Sequence, residues 1–269
     1  MPRPSPAKSA APQTYATLRA LHPDAHCELD HRSPFELLVA TVLSAQTTDK
    51  AVNQVTPALF ARFPDAASLA RAEQDEVEGL LGRLGMFRQK AKNLVGLSRL
   101  LEEKHGGEVP RTMAELTELP GVGRKTANVV MGTVFDNAEG VVVDTHVQRL
   151  TQRLGWSKKK DPVEIERELM KLFAQPDYAL LSHTLIFHGR RICAAAKPAC
   201  GSCALQGSCP SAGKAEKVGR KPPRERKPSA VAQKDAIEPG GPTGDAKGKP
   251  LDDSRHRGRK KAVAAVRLR

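Results

Sequence analysis

Leu119-Pro120-Gly121-Val122-Gly123-Arg124-Lys125-Thr126-Ala127-Asn128, followed downstream by Val143-Asp144-Thr145-His146, is the stretch around which this 269-residue chain is arranged. Pro120 ends whatever helix precedes it, and Gly121 and Gly123 allow positive φ or a close backbone approach. An apolar-periodic run, Thr126 to Phe135, then opens a new helix. A glycine turn at a helix start exposes unpaired N–H groups suited to a phosphate oxygen. It lacks the length and the terminal Lys-Ser/Thr of a nucleotide P-loop, and no strand precedes it. Lys125 sits at the positive end of the new helix, where the charged ammonium is disfavoured. Such a lysine is a candidate nucleophile toward an electrophilic carbon such as a sugar C1′. Taken alone, it is read more plainly as a solvated residue on a helix face.

Val141-Val142-Val143 is a buried apolar run closed by Asp144, after which Thr145 to Leu154 reads as a helix. Aspartate is among the preferred N-caps, so capping accounts for Asp144 by itself. If the two elements pack together, Lys125 and Asp144 also face one cleft as amine and carboxylate.

Outside this stretch the pattern is helical almost throughout, and the predicted fold is all-α. A first helix is expected over Thr14–Leu21, ended before Pro23. Ser33-Pro34-Phe35-Glu36 is a capping box with proline at the first helical position, leading into Phe35, Leu38, Val39, Val42 and Leu43 at helical spacing. Further helices are expected over Lys50–Arg62, after Asp65, over Asp75–Leu84 and over Met86–His105, the last stopped by Gly106-Gly107. Thr112 and Glu115 form a second capping box before the hairpin. After Gly155, Asp161 caps a helix through Phe173, and Asp177–His188 is the last.

The formal charge is +13, unevenly placed. Residues 211–269 hold 17 Lys+Arg and 7 Asp+Glu, net +10, leaving 26 basic and 23 acidic residues, net +3, for the remainder. An anionic partner, nucleic acid above all, is expected. The Lys/Arg/Pro/Gly/Ala-rich tail cannot bury enough apolar surface to fold, and the Pro/Ala-rich start, residues 1–13, reads the same way. No apolar run is long enough to span a membrane and no signal-peptide core opens the chain, so an intracellular, cytoplasmic protein is expected.

Cys193, Cys200, Cys203 and Cys209 form C-x6-C-x2-C-x5-C within 17 residues. Four thiolates this close mark a metal site, and sulfur ligation suits either zinc or an iron–sulfur cluster. Cys27 lies outside the pattern and is expected to be a buried free thiol.

Together the hairpin, the lysine, the aspartate and the cysteine spacing resemble the helix–hairpin–helix, Gly-Pro-Asp superfamily of base-excision DNA glycosylases, and within it the endonuclease III family. The resemblance covers roughly residues 14–212. It implies a helical barrel over 33–138, with the hairpin near 113–135, and a cluster domain from 14–32 and 139–212. DNA would lie across the cleft between them; the basic tail over 213–269, expected from its composition to be disordered, departs from the family. By position Lys125 matches the family's Schiff-base lysine and Asp144 its catalytic aspartate. Gly121, Val122, Gly123 and Arg124 match the phosphate-holding hairpin. Gln46 matches the residue that enters the gap left by an extruded nucleotide, although a loop amide capping the next helix is an equal reading. Met86 stands where the family places an apolar wedge, and it is also readable as core. The four cysteines become ligands of a [4Fe-4S] cluster, with Arg190, Arg191 and Lys197 beside it as phosphate contacts or as a solvated rim. His146 is read as a hydrogen-bonded structural histidine.

The implied activity is a monomeric bifunctional DNA glycosylase and abasic-site lyase acting on duplex DNA with oxidised or ring-saturated pyrimidines. The rivals are a monofunctional adenine or mismatch-thymine glycosylase of the same fold and a non-enzymatic DNA-binding protein. Lys125 argues against the first and the Lys125–Asp144 pair against the second.

Overall fold

A computed structural model describes residues 6–219, and none of the described residues is in a strand. The expectations for residues 1–5 and for the tail from 220 onward lie outside the described residues. Among the described residues twelve α-helices follow one another: α1 (Pro6–Ser9), α2 (Ala11–Leu21), α3 (Pro34–Leu43), α4 (Asp49–Arg62), α5 (Ala66–Ala70), α6 (Gln74–Leu81), α7 (Phe87–His105), α8 (Met113–Glu118), α9 (Arg124–Val134), α10 (Thr145–Arg153), α11 (Pro162–Leu169) and α12 (Tyr178–Arg191).

Local chemistry sets most of these boundaries. At the start of α3, Ser33 Oγ accepts from the Glu36 amide at 3.2 Å, while the Glu36 carboxylate accepts from the Arg32 amide at 2.7 Å. Helix α3 is buried on every side from Phe35 to Leu43, so the one-sided stripe expected for it is in fact a central rod. Helix α7 is amphipathic and ends where Gly106 turns left-handed, at φ 59°. Its buried stripe runs Lys90, Ala91, Leu94, Val95, Leu97, Ser98 and Leu101.

Two apolar cores result. One gathers buried residues from Leu29 to Met131, with α3 at its centre. The other joins Ala11, Tyr15 and Leu18 of α2 to residues from Ala138 to Leu205. That second core explains why order begins before Thr14. Ala11 is fully buried, and Lys8 pairs with Glu168 at 3.4 Å, so residues 6–13 are helical rather than disordered. Helix α11 stops at Leu169, short of Phe173, and α12 runs past His188 to Arg191.

The tail boundary also moves. Residues 213–219 form a strap: a 3-10 turn over Ala215–Lys217 with Ala215 buried, then Val218, whose carbonyl accepts from Arg153 Nε at 2.9 Å. Gly219 closes it at φ 69°, where a Cβ would stand 2.8 Å from the Arg149 carbonyl oxygen. A composition rich in Ala, Gly and Lys gave no sign of this, because the contacts are main-chain ones that any sequence of small residues can make.

Candidate active site and cysteine pocket

The hairpin is α8, a turn, and α9. Gly121 sits at φ 82°, and a Cβ there would lie 2.7 Å from Asn93 Nδ2, so this position requires glycine. Gly123 instead is extended and caps α9 without a side chain, with no atom within 4 Å of where its Cβ would be. The first-turn amides of α9 thus have no side-chain cap, as an anion site requires. Val122 is buried and its amide donates to the Leu119 carbonyl at 3.0 Å, so it holds the turn to the core. Arg124 donates Nη2 to Glu166 Oε1 at 2.9 Å, bracing the hairpin against α11. A phosphate would have to compete with Glu166 for it.

Asp144 caps α10 as expected: Oδ1 accepts from the amides of His146 and Val147, both at 2.8 Å. The apolar run before it is pinned to α12 by the Val142 amide, which donates to Ser182 Oγ at 3.0 Å. With these two anchors Asp144 and Lys125 line one cleft of about 130 Å³. Lys125 itself is exposed, one residue into α9.

The cleft brings in groups that the sequence reading passed over. Asp49, at the start of α4, accepts at Oδ2 from Arg190 Nη2 at 2.8 Å, and Arg190 also pairs with Glu28. Burial and the neighbouring Asp144 push the Asp49 carboxyl up, while Lys125 and His146 draw it down, so these charges share one electrostatic field. His183, also in the wall, is lowered to about 4 by burial and by His26, which leaves a neutral imidazole facing the cleft at neutral pH. Cys27 lines the same cleft and is only half-buried, rather than lost in the core. His146 accepts at Nδ1 from Arg149 Nη2 at 3.1 Å, a structural contact as expected.

Gln46 and Met86 share an unusual backbone. Both are left-handed without being glycine, at φ 54° and 57°. Met86 is 50% exposed, which removes the core reading. Conformations of this kind cost on the order of 1–3 kcal/mol and gather at functional positions.

The four cysteines line a second, apolar pocket with Leu205 and His188. Among the described residues no group of three or more His, Cys, Asp or Glu side chains is gathered closely enough to hold a metal ion. Arg153, 1% exposed, donates Nη1 to Cys193 Sγ at 3.2 Å and to the Ala194 carbonyl at 2.7 Å. Arg149, also buried, donates Nη2 to the Gly189 carbonyl at 2.9 Å. His188 Nε2 lies 3.6 Å from Cys203 Sγ, and its Nδ1 lies 3.0 Å from His22 Nε2. At the rim, Arg191 forks onto Asp24 at 2.7 and 2.9 Å and stacks on Phe187, so Arg190 and Arg191 are both paired within the protein. Lys197 projects from a left-handed position, φ 50°, in the loop between Cys193 and Cys200.

Residues 39–175 match the HhH-GPD superfamily of base excision DNA repair proteins. The chain is 54% identical over 198 residues to endonuclease III of Synechocystis sp., covering 74% of this chain and 90% of that one. The chain belongs to the HhH-GPD superfamily. Endonuclease III of Escherichia coli K12 is 40% identical over 189 residues, 70% of this chain and 89% of that protein. Among solved structures, a non-covalent endonuclease III–DNA complex and a trapped covalent endonuclease III–DNA intermediate each superpose with TM-score 0.72 at 42% identity. Each of these alignments covers 76% of this chain and 96% of the other. A thermostable thymine-DNA glycosylase, 22% identical with TM-score 0.66, shares the fold. As an HhH-GPD protein the chain belongs to base excision DNA repair, and its likeness to endonuclease III makes it a DNA glycosylase with abasic-site lyase activity whose partner is DNA.

Proposed function

We propose that Lys125 is the nucleophile and Asp144 its partner in removing oxidised or ring-saturated pyrimidines such as thymine glycol. The reading is carried by the placement of an exposed amine and a capping carboxylate in one cleft, each at the first turn of a helix. A damaged nucleotide must leave the stack before its sugar can be reached. Gln46 and Met86 enter the gap, and the uncapped first-turn amides of α9 hold a backbone phosphate. Lys125 Nζ attacks C1′, the C1′–N bond breaks, and its electron pair leaves with the base, which takes up a proton. Asp144 accepts the ammonium proton and stabilises positive charge growing on the sugar. The nitrogen lone pair then breaks the C1′–O4′ bond, O4′ takes up a proton, and the resulting iminium acidifies C2′–H; loss of that proton expels the 3′ oxygen, cutting the strand by β-elimination. The neutral His183 offers a hydrogen bond to an extruded base in the same cleft.

The two apolar cores correspond in this reading to the barrel and the cluster-bearing halves. The cysteine pocket suits a [4Fe-4S] cluster, since four sulfurs line it and two buried guanidinium groups beside them would balance a net negative cluster. When bound, that group ties the loop 193–209 into a fixed surface. Action on chromosomal DNA would keep the enzyme with the cytoplasmic nucleoid; among the described residues no helix is long and apolar enough to cross a membrane.

A lesion panel under single-turnover conditions tests the substrate class. Thymine glycol and dihydrothymine should be excised and the strand cut, with adenine opposite 8-oxoguanine and thymine opposite guanine left intact. Preferred excision from either mismatch would reassign the pocket.

The strap changes how the basic tail should be studied. A cut at residue 213 would remove Ala215 and Val218 from Arg153. A chain ending at residue 222 keeps the strap and loses most of the tail's charge. It should bind undamaged duplex more weakly, with a salt slope flatter by several units at about 0.9 per lost phosphate contact. Its single-turnover excision rate should hold. An unchanged slope would show that the tail does not touch DNA.

A further inference from the structure

Lys90 interrupts an otherwise apolar stripe. It stands in phase with Leu94, Leu97 and Leu101 on the inner face of α7 and is 3% exposed. No carboxylate pairs with it among the described residues, and burial alone pushes its ammonium down. A leucine or methionine would complete the stripe without burying a charge. What the ammonium does is donate to Thr47 Oγ1 at 2.6 Å. The Thr47 hydroxyl in turn donates to the Ala45 carbonyl at 3.3 Å, so the contact brackets Gln46 on both sides. The Lys90 amide donates to the Met86 carbonyl at 3.0 Å. One residue is thus bonded through its main chain to Met86 and through its side chain to the loop that carries Gln46. Those two are the left-handed non-glycine residues on either side of this contact. Such conformations persist only where the surroundings over-determine them.

We propose that Lys90 is a positioning residue for nucleotide extrusion: its ammonium locks the Gln46 loop to the start of α7, fixing the two gap-filling side chains relative to each other. The inference rests on the reading above that Gln46 and Met86 fill the gap. Two side chains from separate segments must enter the same opening in the stack, so a shift in either segment separates them. Base removal from a paired lesion needs that entry. Elimination at a preformed abasic site has no base to unstack and needs it less.

The test compares single-turnover rates on duplex containing thymine glycol opposite adenine and on the same duplex with a preformed abasic site. Lys90→Met keeps the aliphatic stem and removes the donor; Thr47→Val removes the acceptor from the half-buried loop position. Each should slow base removal roughly 10- to 100-fold, the scale of a small misplacement of reacting or positioning groups. Strand cutting at the abasic site should change by less than about threefold, inside the smallest effect that such a misplacement gives. The double variant should be no slower than the worse single one, since both remove one contact. Thr47→Val carries the test should Lys90→Met fold poorly. Equal loss on both substrates, no loss on either, or additive losses in the double variant would overturn the proposal. Gln46→Ala and Met86→Ala separate it from its premise. If they lack the paired-lesion defect, the gap-filling reading fails. If they show it and neither Lys90→Met nor Thr47→Val does, the gap-filling reading stands and the role of Lys90 fails.

Discussion

Borohydride should trap a covalent complex between this protein and abasic or thymine-glycol DNA, and Lys125→Ala should abolish it. The side chain is exposed, so its removal should leave stability within about 0.5 kcal/mol and DNA binding within a few-fold. The expected loss is total for trapping, because no imine forms without a primary amine at this place in the cleft. Trapping that persists in Lys125→Ala would show that another amine attacks. Asp144→Asn is the companion variant. Asparagine is an equally competent cap and can still accept from the amides of His146 and Val147, so α10 should remain formed. Base excision should nevertheless fall by a factor on the order of 10²–10⁴, the usual contribution of a positioned acid or base. A parallel fall in melting temperature and activity would instead reduce Asp144 to its capping role.

The second large effect concerns the sulfur pocket. Purified protein should be brown, with iron and acid-labile sulfide, and Ser at any of positions 193, 200, 203 or 209 should lower both. The physical reason lies beside the sulfurs. Arg149 and Arg153 are both buried, and their bonds run to carbonyl oxygens, to the His146 ring and to Cys193 Sγ rather than to carboxylates. Removing the anionic partner of a buried cation costs about 3–5 kcal/mol. A cysteine variant should therefore lose several degrees of melting temperature as well as its colour, and its loop 193–209 should become protease-sensitive. Cys27→Ser should do neither, since Cys27 lines the other pocket. Stoichiometric zinc in anaerobically purified protein would overturn the assignment.

Much of this site could be read from the chain because its signals are local. A cap is a contact between neighbours in sequence, so Ser33, Thr112, Asp144 and Asp161 were legible and all cap their helices, although Glu36 accepts from the Arg32 amide and Glu115 from the Thr112 hydroxyl, so neither returns to the N-cap amide as a full capping box would. The cysteine spacing and the glycine hairpin are local in the same sense. What escaped was charge placed by tertiary packing. Arg149 and Arg153 look like ordinary cations of an amphipathic helix, and only the approach of Cys193 and of the strap makes them interior. Asp49 reads as a helix-start acid until Arg190, far along the chain, closes on it. Lys90 was the exception with a signal available. A lysine in register with the apolar positions of α7 is out of place on a helix that needs no kink or cap there.

The division of the apolar residues into two cores has a consequence for the order in which this chain acquires its structure. The first core draws on one continuous stretch of helices between Leu29 and Met131, whose partners are near in sequence and can find each other early. The second cannot begin that way. Tyr15 and Leu18 must wait for Leu181 and Leu185, and closing so long a loop is cheap only when the segment between is already compact. The first core, once collapsed, draws the two ends together. Lys125 lies on the early side of this division and Asp144 on the late side, so the enzyme becomes competent only when the slower half has docked.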